Sequence, residues 1–422
     1  MSAPVLESRP SRTLAGATVL QIVPDMRDTP AARAALDLAV SSLRAGSRTL
    51  MAGGGGNLVP ELQALGGEWI GLEVATGGAW RRRATARKLA EMIRSEQVDL
   101  AHAHGPDAAR LAVRAVKSAP TVLVTTYAGT PPPPSWRRPH EDAQARGTIV
   151  LACSAYAAEQ IAQRHRIARD RVVIIPLCVD TGWFDPATVE PERVAAVRSG
   201  WRVRPEARVV FAPGRFGISG GQLTLIDAVR YLVNGGLRGV VFVLAADRPD
   251  DAAYSAAIDE RIEAQGLGGI FRKVGHCADM PAAYAAADIV VLPEERAAVF
   301  SMVAAEAQSM ARPVVAGNSG AMTELVLAPP ADAEGPRTGW LTRPHDAVDL
   351  ARTLAQALAL DHATMSRIGK EARAFASMAF SPEQVAAATL SVYDWLLREA
   401  HGSAGAAPRA QFVDIDPRPR PP

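Results

Sequence analysis

Short apolar runs alternate along this chain with longer segments whose apolar positions recur at helical spacing, the pattern of an α/β protein built on parallel sheets. In the first half, strands are predicted at Ala17–Pro24, Thr49–Ala52, Trp69–Leu72, Leu100–Ala103, Thr121–Thr126, Thr148–Ala152 and Val172–Pro176. Helices are predicted between them at Ala31–Arg44, Leu58–Leu65, Ala84–Ser95, Asp107–Val116 and Tyr156–His165. The run Pro131–Pro134 starts a loop, because proline neither donates to a sheet nor continues a helix. A second strand series follows at Val209–Ala212, Val240–Ala245, Phe271–Val274, Ile289–Leu292, Pro313–Ala316 and Gly339–Leu341.

The two series predict two Rossmann-like domains facing each other across a cleft, with ligands at the C-terminal ends of the strands. The first spans 17–180 and the second 206–380, with 181–205, which carries Pro186, Pro191 and Pro205, as an inter-domain segment. The segment 381–400 holds an amphipathic helix, Pro382–Ala400, with Val385, Ala388, Leu390, Val392, Trp395 and Leu396 on its apolar side. Residues 1–16 and 401–422 lack periodicity and are expected to be disordered.

Composition narrows the function classes. At 422 residues the chain is long enough for two domains, and 48% hydrophobic content supplies ample core. A net charge of +2 gives no field that would gather nucleic acid. Cys153, Cys178 and Cys277 lie far apart, which argues against a zinc site or a disulfide framework and fits a reducing cytosol. No stretch approaches the roughly 18 apolar residues of a spanning helix. A cytoplasmic protein is expected, peripheral at the inner face of the membrane if the basic segment Arg81, Arg82, Arg83, Arg87 and Lys88, preceded by Trp80, docks on anionic lipid heads. A solvated helix face is the alternative for that segment.

Several motifs carry chemistry when taken in order. Val299–Ala316 places Glu306 on a helix that leads into a Val-Val strand, where a carboxylate can accept two hydrogen bonds from a ribose diol. Upstream lie Asp99–Leu100–Ala101–His102–Ala103–His104, Cys153–Ser154–Ala155–Tyr156, Arg171–Pro176 with Val179–Asp180, Gly214–Arg215, and Gly275–Pro293 containing Ala286–Ala287–Asp288. This ordered set closely resembles the family 4 glycosyltransferases of the GT-B fold (glycosyl transferases group 1) over most of 17–400. The resemblance implies a C-terminal helix that crosses back onto the N-terminal, acceptor-binding domain, and a nucleotide-sugar domain downstream. It implies a retaining transfer from a nucleotide-diphosphate sugar to a carbohydrate or lipid-linked acceptor, with no metal ion or other cofactor. Donor-binding positions would be Gly214, Arg215, Glu306, Glu324, Gly275 and His276.

Four places depart from the family's pattern. The Gly-paired N-terminal loop is Arg27–Asp28–Thr29–Pro30–Ala31–Ala32–Arg33, in which proline removes a donor and Asp28 has the wrong sign for a phosphate. The imidazole of "Y-H-G" is Ala128, the lysine of "G-R…K-G" is Gly220, and the first Glu of Glu-x7-Glu is Ala298. Removing one preorganised donor costs on the order of 3–4 kcal/mol in the transition state, although such losses need not add. Glu294 or Glu295 are candidate replacements for the carboxylate, and Lys273 or Arg296 for the lysine. His102 and His104 are expected on opposite sides of their strand, and Gly53–Gly56 as a turn without the lysine of a phosphate cradle. The leading reading is a transferase of cell-envelope or exopolysaccharide assembly. Its alternative is a catalytically impaired GT-B pseudoenzyme that acts as a nucleotide-binding or scaffolding partner of an active glycosyltransferase.

Overall fold

The computed structural model describes residues 13–74, 77–127, 143–217, 219–246, 252–330 and 335–400. They fall into two compact units: one holds the residues up to Cys178 together with those from Pro382, the other runs from Val179 to Ser381. The disordered ends expected at 1–12 and 401–422, and the Pro131–Pro134 loop, lie outside the described residues. Residues 13–16 are ordered by contact, with Leu14 buried and its N–H bonded to Asp394 Oδ1 at 3.0 Å.

In the first unit the elements run β1 (Thr18–Asp25), α1 (Pro30–Arg44), β2 (Arg48–Gly54), α2 (Val59–Ala64), β3 (Glu68–Gly71), α3 (Ala79–Ser95), β4 (Leu100–His104), α4 (Gly105–Ala115), β5 (Val122–Tyr127), β6 (Ile149–Ala152), α5 (Ala155–His165) and β7 (Val172–Ile174). The second continues with α6 (Pro191–Gly200), β8 (Arg208–Pro213), α7 (Gln222–Asn234), β9 (Val240–Ala245), α8 (Ala252–Ala264), β10 (Phe271–Val274), α9 (Met280–Ala286), β11 (Ile289–Leu292), α10 (Met302–Ser309), β12 (Val314–Gly317), α11 (Met322–Leu325), β13 (Gly339–Thr342), α12 (Ala347–Ala359) and α13 (His362–Phe380). Helix α14 (Pro382–Glu399) returns to the first unit.

Each unit carries one parallel sheet, ordered β3-β2-β1-β4-β5-β6-β7 and β10-β9-β8-β11-β12-β13. Strands covered on both faces need no polar alternation, so β1, β6, β11 and β12 read as nearly unbroken buried runs. The strand order reverses between β1 and β4, and again between β8 and β11. Ligands of doubly wound sheets bind at the carboxyl ends of the strands beside such a reversal.

Three sequence expectations need correction. Helix α3 begins at Ala79, five residues before the predicted Ala84, because its first turn is exposed and leaves no apolar period to read. Residues 181–205 are not a linker: α6 packs on α9, and Arg193 makes a two-bond ion pair with Asp279 at 2.7 and 2.8 Å. On α14 the fully buried residues are Ala386, Thr389, Val392, Tyr393, Leu396 and Leu397, so the buried stripe is turned from the predicted one. Val385, Ala388, Leu390 and Trp395 flank it, half-buried.

Helix α14 packs with Val19, Leu100, Val124, Ile149 and Leu151 of the first sheet. Each large buried side chain contributes roughly 1.5–3 kcal/mol, so Val392, Tyr393, Leu396 and Leu397 tie the helix firmly to it. A polar chain runs through the same contact. His104 Nε2 meets Gln21 Oε1 at 2.7 Å, Gln21 Nε2 donates to Tyr393 Oη at 3.2 Å, Tyr393 Oη meets His102 Nδ1 at 2.5 Å, and His102 Nε2 meets Thr126 Oγ1 at 2.7 Å. One assignment satisfies every donor: both histidines neutral and protonated on Nε2, with Tyr393 donating to His102. His102 and His104 share one face, with ring centroids 4.0 Å apart. A separation of two residues demands this in a strand, and the opposite-sides expectation misapplied the period.

Burial holds His102 well below the usual imidazole value and His104 at about 4. Both folded values are depressed, so the stability they protect is present above about 6.5 and is lost as pH falls through about 4. Chemical denaturation of the first unit should lose stability across that window. Tyr393→Phe, which strands His102 Nδ1, should cost roughly 1–3 kcal/mol at pH 7.5; a denaturation midpoint unchanged by the variant would refute this role.

Candidate functional site

The strand-order reversal of the second sheet lies between the carboxyl ends of β8 and β11, and two of the sequence's candidate residues, Gly214 and Arg215, directly follow β8 there. After β8, Gly214 and Arg215 are exposed. The turn they begin closes at Gly221, whose φ of +68° suits glycine and whose added Cβ would lie 1.8 Å from Pro293 O. Beside it, a Cβ on Gly220 would come 2.8 Å from Arg215 O and 2.4 Å from the Gln222 amide. The turn is thus pressed against the end of β11 by backbone contact. The lysine read as missing at Gly220 has no room as the turn stands.

The turn is also stapled by side chains. Glu295 accepts from Thr224 Oγ1 at 2.5 Å, lies 3.2 Å from His345 Nδ1, and its N–H bonds Ser219 O at 3.1 Å. Glu295 is therefore committed to structure and does not replace the lost carboxylate. Next to the start of α7, burial raises the Tyr254 phenol, against the lowering effect of the Leu223 and Gln222 amides. Lys273, proposed as a substitute cation, bonds Asp259 Oδ2 at 2.6 Å and Ser255 O at 3.0 Å, which commits it to α8. Arg296 is exposed.

The loop from β11 to α10 supplies the acidic groups. Glu294 follows Pro293 at the strand end and has no hydrogen-bond partner among the described residues; burial raises its pKa. Ala298 lies further along, with its carbonyl accepting from Ala321 N–H at 2.9 Å and its backbone packed on the Gly320 turn. Ser301 then caps α10 by accepting from Ala304 N–H at 3.3 Å.

On the second turn of α10, Glu306 accepts from Tyr284 Oη at 2.8 Å through Oε2, while Oε1 has no hydrogen bond among the described residues. Burial pushes the Glu306 carboxyl up to about 7 against the lowering effect of that bond. The same burial, with the Glu306 charge next to it, pushes the Tyr284 hydroxyl far above the usual phenol. A carboxylate bound through one oxygen, in a place that penalises its charge, is a ready acceptor for further hydroxyl donors.

The other expected donor positions are spread along the same sheet. Gly275 and His276 are exposed just after the edge strand β10, and Glu324 is half-buried on the short α11. Among the described residues, no hydrogen bond joins Gly275, His276 or Glu324 to Glu306. Sequence reading missed Tyr284 as a partner for Glu306, although it is the one aromatic in the alanine-rich run before Asp288. It missed the Glu295 staple entirely.

In the first unit, Ala128 lies outside the described residues. The loop at Arg27–Arg33 is closed by ion pairs: Arg27 with Asp25 at 2.7 Å, and Arg33 with Asp28 at 3.0 Å and Glu61 at 2.8 Å. Thr29 caps α1 and Pro30 takes its first position, which explains why this loop holds no glycine. Within Gly53–Gly56 two positions approach neighbouring backbone closely: a Cβ would lie 2.4 Å from Val23 O at Gly53 and 2.0 Å from Met26 O at Gly56. A cavity of about 520 Å³ between α7 and α12, lined by Tyr231, Leu237 and Leu358, sits at the opposite, amino end of the sheet. Among the described residues, no three or more His, Cys, Asp or Glu side chains are placed to hold a metal ion.

Comparison with known proteins decides the family. Residues 207–359 match the family model described as "Glycosyl transferases group 1", and residues 58–183 match that described as "Glycosyltransferase Family 4". The chain belongs to these glycosyltransferases. Among curated relatives, the D-inositol 3-phosphate glycosyltransferase of Xylanimonas cellulosilytica is 28% identical over 60% of this chain and 58% of its own length. That of Nocardia farcinica is 29% identical over 60% and 54%. The chain thus spans a little over half the length of these relatives. The fold is shared with a glycosyltransferase from Rickettsia africae, at a TM-score of 0.75, 21% identity and coverage of 91% of this chain and 98% of that one. It is shared too with Anabaena HepE in complex with UDP, at a TM-score of 0.70, 21% identity and coverage of 89% and 99%. These matches establish the glycosyltransferase's two parallel-sheet, Rossmann-like units as those of the GT-B fold.

The tight turn sets an expectation for two family-like reversions. Gly220→Lys should destabilise the second unit by about 1–3 kcal/mol through overpacking, whereas Ala298→Glu, at a half-buried site, should stay within about 0.5 kcal/mol. Thermal melting checks this, and equal melting temperatures for the two variants would contradict it.

Proposed function

We propose that this glycosyltransferase moves a sugar from a nucleoside diphosphate donor to an acceptor hydroxyl, holding the donor nucleotide in its second unit. One observation carries the reading: the Glu306 carboxylate, desolvated and bound to Tyr284 through Oε2, leaves Oε1 for a ligand. A ribose diol supplies two hydroxyl donors to such a group. The departing diphosphate gains negative charge as the sugar leaves, and Arg215 beside the strand reversal is the guanidinium assigned to it. The UDP in the Anabaena HepE structure recommends uridine diphosphate sugars as the first donors to test. The names of the curated relatives recommend a polyol phosphate as the first acceptor. Transfer with retention and without a metal ion, in cell-envelope or exopolysaccharide assembly, completes the proposal. The transferase names of these relatives lend no support to the impaired-partner alternative.

Released UDP from a panel of UDP-sugars, with and without EDTA, tests the activity; the expected turnover is indifferent to EDTA. UDP should raise the melting temperature, since a ligand stabilises the state it binds, and Glu306→Ala should abolish that shift. An ionised carboxylate accepts both hydroxyls, so affinity should strengthen as pH rises through about 7 and fall by up to about tenfold per unit below it. An Ala variant that binds UDP like the parent protein rules out the ribose assignment.

The basic helix α3 supports a second part of the proposal, docking on anionic lipid heads. Trp80 is 82% exposed at its start, and Arg81, Arg83, Arg87 and Lys88 are exposed and make no ion pair among the described residues. Arg82 adds to a cluster with Arg110 and Arg114 whose like charges, after burial, depress the Arg110 value. Near an anionic membrane each such side chain is worth about 1 kcal/mol. Co-sedimentation with phosphatidylglycerol vesicles should be lost on reversing Arg81, Arg87 and Lys88 to Glu; retention by that variant would discard the docking face.

A further inference from the structure

We infer that Tyr284 is a positioning residue for the donor nucleotide: its hydroxyl holds Oε2 of Glu306 and so aims Oε1 at the ribose diol. The inference rests on the proposed ribose role of Glu306 and adds the group that orients it. Tyr284 has no exposed surface, and its ring is clamped edge-on between Phe184, at 6.0 Å, and Phe211, at 5.8 Å between centroids. Phe211 belongs to β8, so the hydroxyl is referenced to the central strand of the sheet. A ring fixed on two sides has little freedom to follow the carboxylate; the carboxylate must come to it.

A plainer account is that Glu306 exists only to satisfy a buried phenol. Gln would serve that purpose without the penalty of burying a charge, which here lifts the acid to about 7. A carboxylate instead keeps acceptor lone pairs on both oxygens after taking the Tyr284 bond, as two neighbouring hydroxyls require. Glu306 has three single bonds to rotate about, and the Tyr284 bond removes that freedom before the nucleotide arrives, which preorganises the acceptor.

Other polar groups around the pair are occupied. The Cys277 thiol, in the loop entering α9, adds to the rise of the Tyr284 hydroxyl after burial and the Glu306 charge. From α13, Arg373 is paired with Asp185 at 2.8 Å and donates to Ser309 O at 2.6 Å. At the end of α10, Arg312 donates to Ala287 O at 3.0 Å. Tyr284 is the one hydrogen-bond donor to the Glu306 carboxylate among the described residues.

Calorimetric titration with UDP and with 2′,3′-dideoxyuridine diphosphate, from pH 6 to 8.5, tests the assignment. Tyr284→Phe should weaken UDP by roughly tenfold, the loss of one hydrogen bond to a charged group. It should also move the pH midpoint of binding upward, because the lost donor stabilised the ionised form. The dideoxy nucleotide should bind the parent and the variant equally. Glu306→Asp withdraws the carboxylate by one methylene with the tyrosine in place, and should give the same pattern should Tyr284→Phe not fold. If Tyr284→Phe weakens both nucleotides alike with an unmoved midpoint, Tyr284 is structural and the inference is wrong. Glu306→Gln separates this from the underlying reading: parent-like UDP binding there overturns the ribose role itself.

Discussion

The Glu306 carboxylate lies half-buried on α10, in surroundings that disfavour its charge, with one hydrogen bond from Tyr284 as partial relief. Everything assigned to the second unit depends on that arrangement. Helix α9 brings Tyr284, the loop after β11 brings α10, and β8 braces the tyrosine through Phe211. The strand order places the β8 turn, which carries Arg215, and the β11 loop, which leads into α10, beside the reversal of the sheet. An acid with an open oxygen is poorly explained as packing and well explained as one side of a binding contact.

The departures from the family's motif are built into the backbone more deeply than single substitutions. Gly220 and Gly221 allow the turn to press on Pro293 and Arg215 O, and Glu295 with Thr224 and His345 locks it there. Lys273 is held by Asp259. The turn after β8 therefore carries Arg215 without a lysine at position 220, and α10 carries Glu306 without a carboxylate at position 298. In the first unit, Thr29 and Pro30 open a capped helix whose flanking charges are already paired.

Both sheets were legible in the sequence because parallel strands covered on two faces are short apolar runs, and β11 and β12 are among the plainest. Motif spacing singled out Arg215, after β8, and Glu306, on α10. What was not legible depends on three-dimensional contact. The start of α3 is exposed and so carries no apolar period. The α14 stripe is set by which residues meet the sheet, and Thr389 and Tyr393 are buried there in spite of their polarity. The intolerance of Gly220 to any side chain comes from Arg215 O, a backbone atom invisible to residue-type reasoning. Tyr284 was visible as a letter, but its pairing with Glu306 exists only in the fold.

A structure determined with UDP bound addresses the central claim most directly. Ribose hydroxyls are expected within about 2.5–3.2 Å of the Glu306 carboxylate, with the Tyr284 bond kept. A nucleotide seated elsewhere, or one whose ribose turns away from Glu306, would contradict it.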